Sequence, residues 1–328
     1  MWRLRPFENT DTPALARIWS EHHAGWNEAA ECSAGLWDQC VLCKPFFDAD
    51  ELLLAVRDDG PPQGLIHFGA SLTDDGSRAS TECGMIHRLC VIPQPDEPAI
   101  AAALIERALD AMRERGMHRC RAIGAPMTSS FYLGVAEGDN LLGVLARDAR
   151  MRSWLTTAGF QPATPTVQWS VQLETFRPPM DRTQIAIRRS CTISRLLDDY
   201  PSHWWLSNIL GHCDQSRFHL RSRGPEPMEM ELMLWTPDAT IRGVDSSTVR
   251  FFMPPVPADD ENRERLVYLI AESLRQLQTE RSKRQVRVAT TSSDTASARV
   301  LQRLGFAAHE HGLVFERDFA SQANSSSE

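Results

Sequence analysis

Two segments of this chain follow one plan, and this internal repeat constrains the fold more than any single motif. Residues 148–160 read DARMRSWLTTAGF, and residues 294–306 read DTASARVLQRLGF. In each segment an Asp suits the free amides at the start of a short helix, and Gly159 or Gly305 suits the left-handed residue after its end. Each segment also follows a predicted strand, a long helix and another strand. The sequence therefore predicts an internal repeat of two related α/β units.

The spacing of apolar residues gives similar orders of elements in the two halves. In the first half we predict strands at 2–7, 51–57, 64–71, 82–92 and 120–123, with helices from about residue 12 and from Pro98. In the second half we predict strands at 217–223, 229–235, 248–253, 285–289 and 313–317, with a long helix at 262–279. The predicted domains are 1–176 and 181–318, followed by a disordered polar tail at 319–328.

Composition excludes several classes of protein. The 328 residues suffice for two cores, and 42% hydrophobic and 24% charged residues indicate a globular protein. A net charge of −8 without a basic stripe argues against nucleic-acid binding. No segment approaches the roughly 20 apolar residues of a membrane span. Residues 1–7 alternate in polarity and lack a signal-peptide core, so we expect a cytoplasmic protein without a membrane partner.

The cysteines offer one metal-like spacing. Cys40 and Cys43 have the spacing of a zinc half-site, and Cys32, His22 and His23 lie upstream. A tetrahedral zinc site needs a second pair at comparable spacing, and none is evident in the sequence. Buried thiols are therefore favoured over a metal site, and no metal ligand is predicted.

The order of elements, with Val91-Ile92-Pro93 ending a strand before the long helix, resembles the GNAT superfamily of acyl-CoA-dependent N-acyltransferases, present twice in tandem. The resemblance covers nearly the whole chain and implies a mixed, mostly antiparallel sheet flanked by helices in each half. It implies acetyl-CoA or another acyl-CoA as co-substrate and a small-molecule amine as acceptor. It is also compatible with a homodimer. The cofactor-binding residues that it implies in the first half are Val91, Pro93, Ala99, Ile100, Ala101 and Asp148.

Both halves depart from the family's cofactor loop, in which glycines let backbone amides approach the pyrophosphate. Residues 94–101 have Ala at two positions where the family prefers Gly, and two acids where it prefers a cation. Residues 254–261 contain no Gly. Leu155 and Leu301 stand where many relatives have a Tyr general acid. We therefore predict any acyl-CoA site in the first half, and a catalytically inactive binding or regulatory protein is the alternative.

The resemblance also suggests catalytic residues. His87, two residues before Leu89-Cys90-Val91, is the candidate base, and Glu82 is a weaker one. Tyr132, in a segment without counterpart in the second half, could protonate the leaving thiolate. The structural alternatives are a hydrogen-bonded strand His, a solvated strand end for Glu82, and loop packing for Tyr132.

Other readings of the sequence carry less weight. His22, His23, Trp26 and Trp37 lie where relatives build the acceptor pocket, although core packing is the favoured interpretation. A different, nucleotide-binding α/β enzyme is the weakest hypothesis, because the sequence lacks the Gly-rich phosphate motifs.

Overall fold

The computed structural model describes residues 2–24, 32–58, 60–73, 76–124, 131–135, 141–198, 203–224, 228–241 and 244–319. The strands of the first half are β1 (Trp2–Pro6), β2 (Leu52–Arg57), β3 (Gly64–Leu72), β4 (Ala79–Val91), β5 (Arg119–Ala122), β6 (Val144–Leu145) and β7 (Gln161–Gln172). Its helices are α1 (Thr12–His22), α2 (Ala34–Trp37), α3 (Glu97–Glu114) and α4 (Ala149–Thr157).

The second half begins with elements for which the sequence analysis gave no prediction: α5 (Arg182–Ser190), β8 (Cys191–Leu197) and α6 (Trp204–Ile209). The elements that follow are β9 (Cys213–Ser222), β10 (Glu229–Pro237), β11 (Thr248–Phe252), α7 (Asp260–Leu277), β12 (Gln285–Thr291), α8 (Thr295–Arg303) and β13 (Ala307–Asp318). In the described part of the chain, no helix is both long enough and apolar enough to cross a membrane.

The strands form one mixed sheet in the order β1-β2-β3-β4-β5-β13-β7-β12-β11-β10-β9-β8, with β6 beside β13. The pairs β4–β5 and β11–β12 are parallel, and the other neighbours are antiparallel. Each half therefore contributes five strands in equivalent order from one edge of the sheet toward its middle. This is the mixed, mostly antiparallel α/β architecture that the sequence predicts.

The last strands of the two halves are exchanged in the middle of the sheet. β13, from the end of the second half, pairs with β5 of the first half, and β7 pairs with β12 of the second half. β7 and β13 also pair with each other. The sheet is therefore continuous across the predicted boundary near residues 176–181, and the two predicted ranges remain an interpretation of the sequence repeat.

The two repeated helices, α4 and α8, have the same end structures. The carboxylates of Asp148 and Asp294 each accept a hydrogen bond of 2.9 Å from the amide three residues later. Gly159 and Gly305 have φ angles of 78° and 80°, in the left-handed region that favours glycine. The predicted repeat of helix start and helix end is confirmed.

The described residues form three apolar cores. α3 and α7 each bury an apolar stripe against strands of their own half, as their helical spacing predicts. A third core joins the halves through an aromatic group comprising Trp19, Trp37, Tyr132, Trp205 and Trp235. Because this core surrounds part of the predicted acceptor region, it determines which candidate residues remain accessible.

Two further predictions concern the C-terminal tail and the tryptophans of the predicted acceptor pocket. Of the predicted tail 319–328, only Phe319 is described, and its amide donates a hydrogen bond of 2.7 Å to the carbonyl oxygen of His118. Trp26, a predicted pocket residue, lies outside the described residues, whereas Trp37 is buried in the third core.

Candidate functional site

The groove predicted to hold the cofactor lies where β4 and β5 diverge. These strands pair only from Cys83–Ile86 to Arg119–Ala122, so the later part of β4, ending at Val91, faces this groove. The carbonyl oxygen of Val91 accepts a hydrogen bond of 3.1 Å from Nη2 of Arg150, and Nδ1 of His22 lies 3.1 Å from the same oxygen. Side chains of the protein therefore occupy the strand edge that a cofactor arm would need.

Arg150 closes this groove from the first turn of α4. Its Nε donates 2.9 Å to Glu97 Oε1 at the start of α3, and its Nη1 lies 3.4 Å from the carbonyl oxygen of His22. Its guanidinium also lies 5.3 Å from the ring centroid of Trp154. One side chain thus links α3, α4, the end of α1 and β4 across the groove.

The start of α3 does not form an anion site in this arrangement. The amide of Glu97 donates to Gln94 O at 3.1 Å, and the amides of Ala99 and Ile100 both donate to Asp96 O at 3.0 Å. Residue 98 is Pro and has no amide hydrogen. Binding of a pyrophosphate at a helix start requires free donors, and the amides of residues 97, 99 and 100 are already bonded.

The remaining predicted cofactor residues have structural positions. Ile100 and Ala101 are fully buried in the core under α3, and Pro93 is exposed at the end of β4. The carboxylate of Asp148 caps α4, and burial raises its pKa. The assignment of a cofactor site to these residues stays a prediction, and the geometry does not favour it.

His87 is buried at an irregularity of β4. His67 pairs with Arg88 and Phe68 pairs with Ile86, so His87 is the extra residue of a β-bulge. Its ring lies 5.1 Å from that of Phe131 and 6.4 Å from that of Trp205 of the second half. Burial, with a smaller contribution from the charge of Lys44, lowers the pKa of His87 to about 3. It is therefore neutral at pH 7 and enclosed by aromatic rings.

Tyr132 lies near His87 but is equally enclosed. Its hydroxyl lies 3.0 Å from Nδ1 of His67, and its ring stacks on Trp19 at 5.6 Å. Burial raises its pKa well above the usual value. The structure thus brings His87 and Tyr132 together through His67, as the sequence suggests. The enclosure favours the structural alternative for both, and their catalytic roles remain predictions.

Glu82 lies apart from these two residues. It is exposed near the start of β4, with its carboxylate 3.9 Å from His118 Nε2. It lies five positions before His87 along the extended strand, a distance of roughly 16 Å. The structure therefore supports the description of Glu82 as a solvated strand end.

Lys44 is a buried residue whose role the sequence analysis did not identify. Its Nζ donates a hydrogen bond to the carbonyl oxygen of Phe131, and burial lowers its pKa to about 8. His212 of the second half lies 2.8 Å, through Nε2, from the carbonyl oxygen of Leu133. The Tyr132 segment is therefore held from both halves. One sequence signal was available: only two lysines stand among many arginines.

His22, His23 and Cys90 place one potential metal-ligand atom each within 4.8 Å of one another. Nevertheless, Nε2 of His23 lies 2.8 Å from Nη2 of Arg88, and its Nδ1 lies 2.8 Å from Trp19 O. Burial, together with nearby Arg88 and Arg150, lowers the pKa of His22 to about 3 and that of His23 to about 2. A metal cation would meet the same two guanidinium charges, so this cluster is unsuited to one.

The equivalent groove of the second half is open. β11 and β12 pair from Thr248–Phe252 to Gln285–Ala289 and then diverge. Beyond that point lies a cavity of about 190 Å³. Its lining comprises Leu141, Phe251, Phe252, Met253, Ala289, Thr290, Thr291 and Asp294. Aligning the repeats on Asp148 and Asp294 places Ala296 where the first half has Arg150, and Ala296 is exposed. The second groove therefore lacks the side chain that closes the first.

The start of α7, beside this second groove, is acidic. The carboxylate of Asp259 accepts a hydrogen bond of 2.8 Å from the amide of Asn262, and Asp260 and Glu261 follow. Nη2 of Arg263 donates 2.7 Å to Ala258 O and lies 2.9 Å from the carboxylate of Asp260. This helix start is equivalent to the start of α3 in the first half, where Asp96 and Glu97 stand.

Comparison with known proteins places this geometry in a structural family. No protein-family model matches the sequence, and no curated protein matches it significantly. The tandem GNAT protein from the clavulanic acid biosynthesis pathway is structurally similar to this chain, with a TM-score of 0.67 and 10% sequence identity. The match covers 97% of this chain and 99% of that protein's chain. A GCN5-related N-acetyltransferase from Sphaerobacter thermophilus matches 97% of this chain over 96% of its own, with a TM-score of 0.58 and 11% identity.

A third solved structure is the GCN5-related glucosamine N-acetyltransferase region of a fungal multi-domain GH3 β-N-acetylglucosaminidase. It matches 97% of this chain over 38% of its own, with a TM-score of 0.70 and 13% identity. At these identities the similarities establish the fold. The chain has the tandem GNAT fold, as the sequence resemblance predicts.

Proposed function

We propose that this chain is an acyl-CoA-dependent N-acyltransferase that takes the cofactor arm in its second half. The observation that carries the proposal is the cavity of about 190 Å³ between β11 and β12. In the GNAT resemblance, the acyl-bearing arm lies between the corresponding diverging strands. The proposal keeps the predicted activity but moves it from the first half, whose groove Arg150 and His22 occupy.

The lining of the cavity suits a flexible, mostly apolar arm with a few polar atoms. Phe251, Phe252 and Met253 supply apolar surface, and Thr290 and Thr291 supply hydroxyl groups. The Thr290 hydroxyl already accepts a hydrogen bond of 3.0 Å from Trp169 Nε1, which fixes its position. Of the lining residues only Asp294 is titratable, and it caps α8. Orientation of a small-molecule amine against the thioester would therefore supply most of the rate enhancement.

Calorimetric titration of acetyl-CoA into the full-length protein tests this proposal. Ala296→Arg places in the second groove the side chain that closes the first, and we expect it to reduce affinity at least tenfold. Arg150→Ala is the matched control and should leave affinity unchanged. A ligand at 100 times its Kd adds about 2.7 kcal/mol of stability, so thermal shifts provide an independent reading. An affinity that changes in Arg150→Ala but not in Ala296→Arg would return the site to the first half.

A second candidate function is a tandem GNAT-fold protein that no longer uses acyl-CoA. The acids at the start of α7 favour it, because carboxylates beside a pyrophosphate are repulsive. The same titration separates the candidates, because no binding at millimolar acetyl-CoA would support the non-catalytic protein. Where binding occurs, release of free CoA thiol with a panel of small amines would establish acyl transfer.

A further inference from the structure

The two edges of the sheet differ in how they are protected. β1 forms one edge and carries Arg3 and Arg5 before ending at Pro6. Charged residues and proline are common means of preventing edge strands from pairing with other chains. β8 forms the opposite edge, and its sequence, CTISRLL, has a single charged residue and no proline.

The one charge of β8 does not guard its edge. Nη2 of Arg195 donates 2.8 Å to Ser216 Oγ on β9, and Nη1 of Arg195 pairs with Glu280 beyond α7. Its guanidinium also lies 5.2 Å from the ring centroid of Phe218. Arg195 therefore turns toward the body of the second half, and the exposed side chains of the edge strand are uncharged: Thr192, Ser194, Leu196 and Leu197.

Two exposed apolar side chains stand at the end of this edge. Leu196 and Leu197, the last residues of β8, are 48% and 65% exposed. Exposed leucines on an unguarded edge strand mark an interaction surface.

We propose that the β8 edge is the interface of a homodimer, in which β8 pairs antiparallel with β8 of a second copy. An open edge offers a row of backbone amides and carbonyls to which a second strand can pair, and this strand is self-complementary. Pairing centred on Ser194 sets Arg195 opposite Ile193 and Thr192 opposite Leu196, so no like charges meet. The two-fold axis is then perpendicular to the sheet and keeps both copies of α5 on one face.

Light scattering coupled to size exclusion tests the proposal on the full-length protein. We expect the wild-type chain to have twice the monomer mass and the Leu196→Lys/Leu197→Lys variant to be a monomer with an unchanged circular dichroism spectrum. Both substituted side chains are exposed, so folding should tolerate them. Arg3→Glu on the opposite edge is the matched control and should remain a dimer.

Hydrogen exchange then locates the interface. Amides of β8 should exchange slowly in the wild-type dimer and at least tenfold faster in the Lys variant, whereas those of β1 should not change. A wild-type monomer at the highest concentration tested would overturn the proposal. A Lys variant that stays dimeric with β8 protected as in the wild type would overturn it as well.

Discussion

The two grooves of this protein derive from the same arrangement of strands and helices, yet one is closed and the other open. In the first, Arg150 spans from α4 to Val91 and Glu97, and His22 lies against the same strand. In the second, Ala296 occupies the position of Arg150, and a cavity of about 190 Å³ remains. One long side chain at a repeated position can therefore close one groove of a tandem fold and, where it is absent, leave the equivalent groove open.

The largest effect that we predict from this comparison is acid sensitivity. The pKa is lowered to about 3 for His22, His87 and His212 and to about 2 for His23, mainly by burial. A lowered histidine pKa means that the unfolded chain binds protons that the folded chain does not. The contribution of these histidines to the free energy of unfolding is therefore fully present above pH 6.5, and it is lost as the pH decreases below that value. Each of these histidines should cost about 2 kcal/mol at pH 5.

Urea unfolding between pH 7 and pH 5 measures this loss, in a range where carboxylates stay largely ionised. His87→Phe removes one of the four groups. The free energy of unfolding should then fall less steeply with decreasing pH, by about 1.4 kcal/mol per pH unit. A slope that is the same in wild type and His87→Phe would show that His87 titrates normally. That result would also reopen its role as a general base.

The next effect concerns the segment of the first half that borders the open groove. A Cβ on Gly312 of β13 would lie 2.2 Å from the carbonyl oxygen of Leu142, and Leu141 lines the cavity. Gly312→Ala must displace this backbone and should reduce the free energy of unfolding by about 3 kcal/mol. It should also weaken binding in the second groove. Gly305→Ala, where no atom lies within 4 Å, is the control for backbone strain without a clash.

A smaller effect is expected from opening the first groove. Arg150→Ala removes hydrogen bonds to Val91 O and Glu97 and should cost about 1–2 kcal/mol in urea unfolding. It should not create an acyl-CoA site, because the amides of Ala99 and Ile100 remain bonded to Asp96 O. The reciprocal Ala296→Arg should change stability by less than about 0.5 kcal/mol. If Arg150→Ala gained an acyl-CoA site, the Arg150 side chain alone would be what prevents binding in the first groove, and the bonded amides at the start of α3 would not be.

The sequence predicted features that depend on local chemistry. Asp and Gly at the ends of α4 and α8 determine those helices with little help from the rest of the chain, and both were confirmed. The exchange of β7 and β13 could not be predicted. Both strands follow a Gly-Phe turn and run antiparallel to β5 or β12, so their sequences do not distinguish the two pairings.

The site could be predicted only in part for a related reason. The catalytic roles of His87 and Tyr132 stay predictions, and the enclosure of His87 depends in part on Trp205, which α6 of the other half contributes. α6 and its neighbours α5 and β8 are short, with six, nine and seven residues, so they escaped prediction. The role of Arg150 was also hidden. Aligning the repeats shows Arg opposite Ala, but only the folded chain shows that this side chain reaches Val91.

The smallest effect tests whether the acidic start of α7 limits binding in the open groove. The amide of Asn262 holds the pKa of Asp259 below its usual value, so this exposed carboxylate is charged at neutral pH. Asp259→Ser keeps a side-chain cap for the helix and removes the charge. If a pyrophosphate lies at this helix start, acetyl-CoA should bind about two- to fivefold more tightly at low ionic strength, and salt should reduce the gain. Asp96→Ser, at the equivalent start of α3, should leave affinity unchanged because that groove is closed. Equal gains from both substitutions would indicate a general effect of net charge, and the difference between the grooves would then not extend to their phosphate ends.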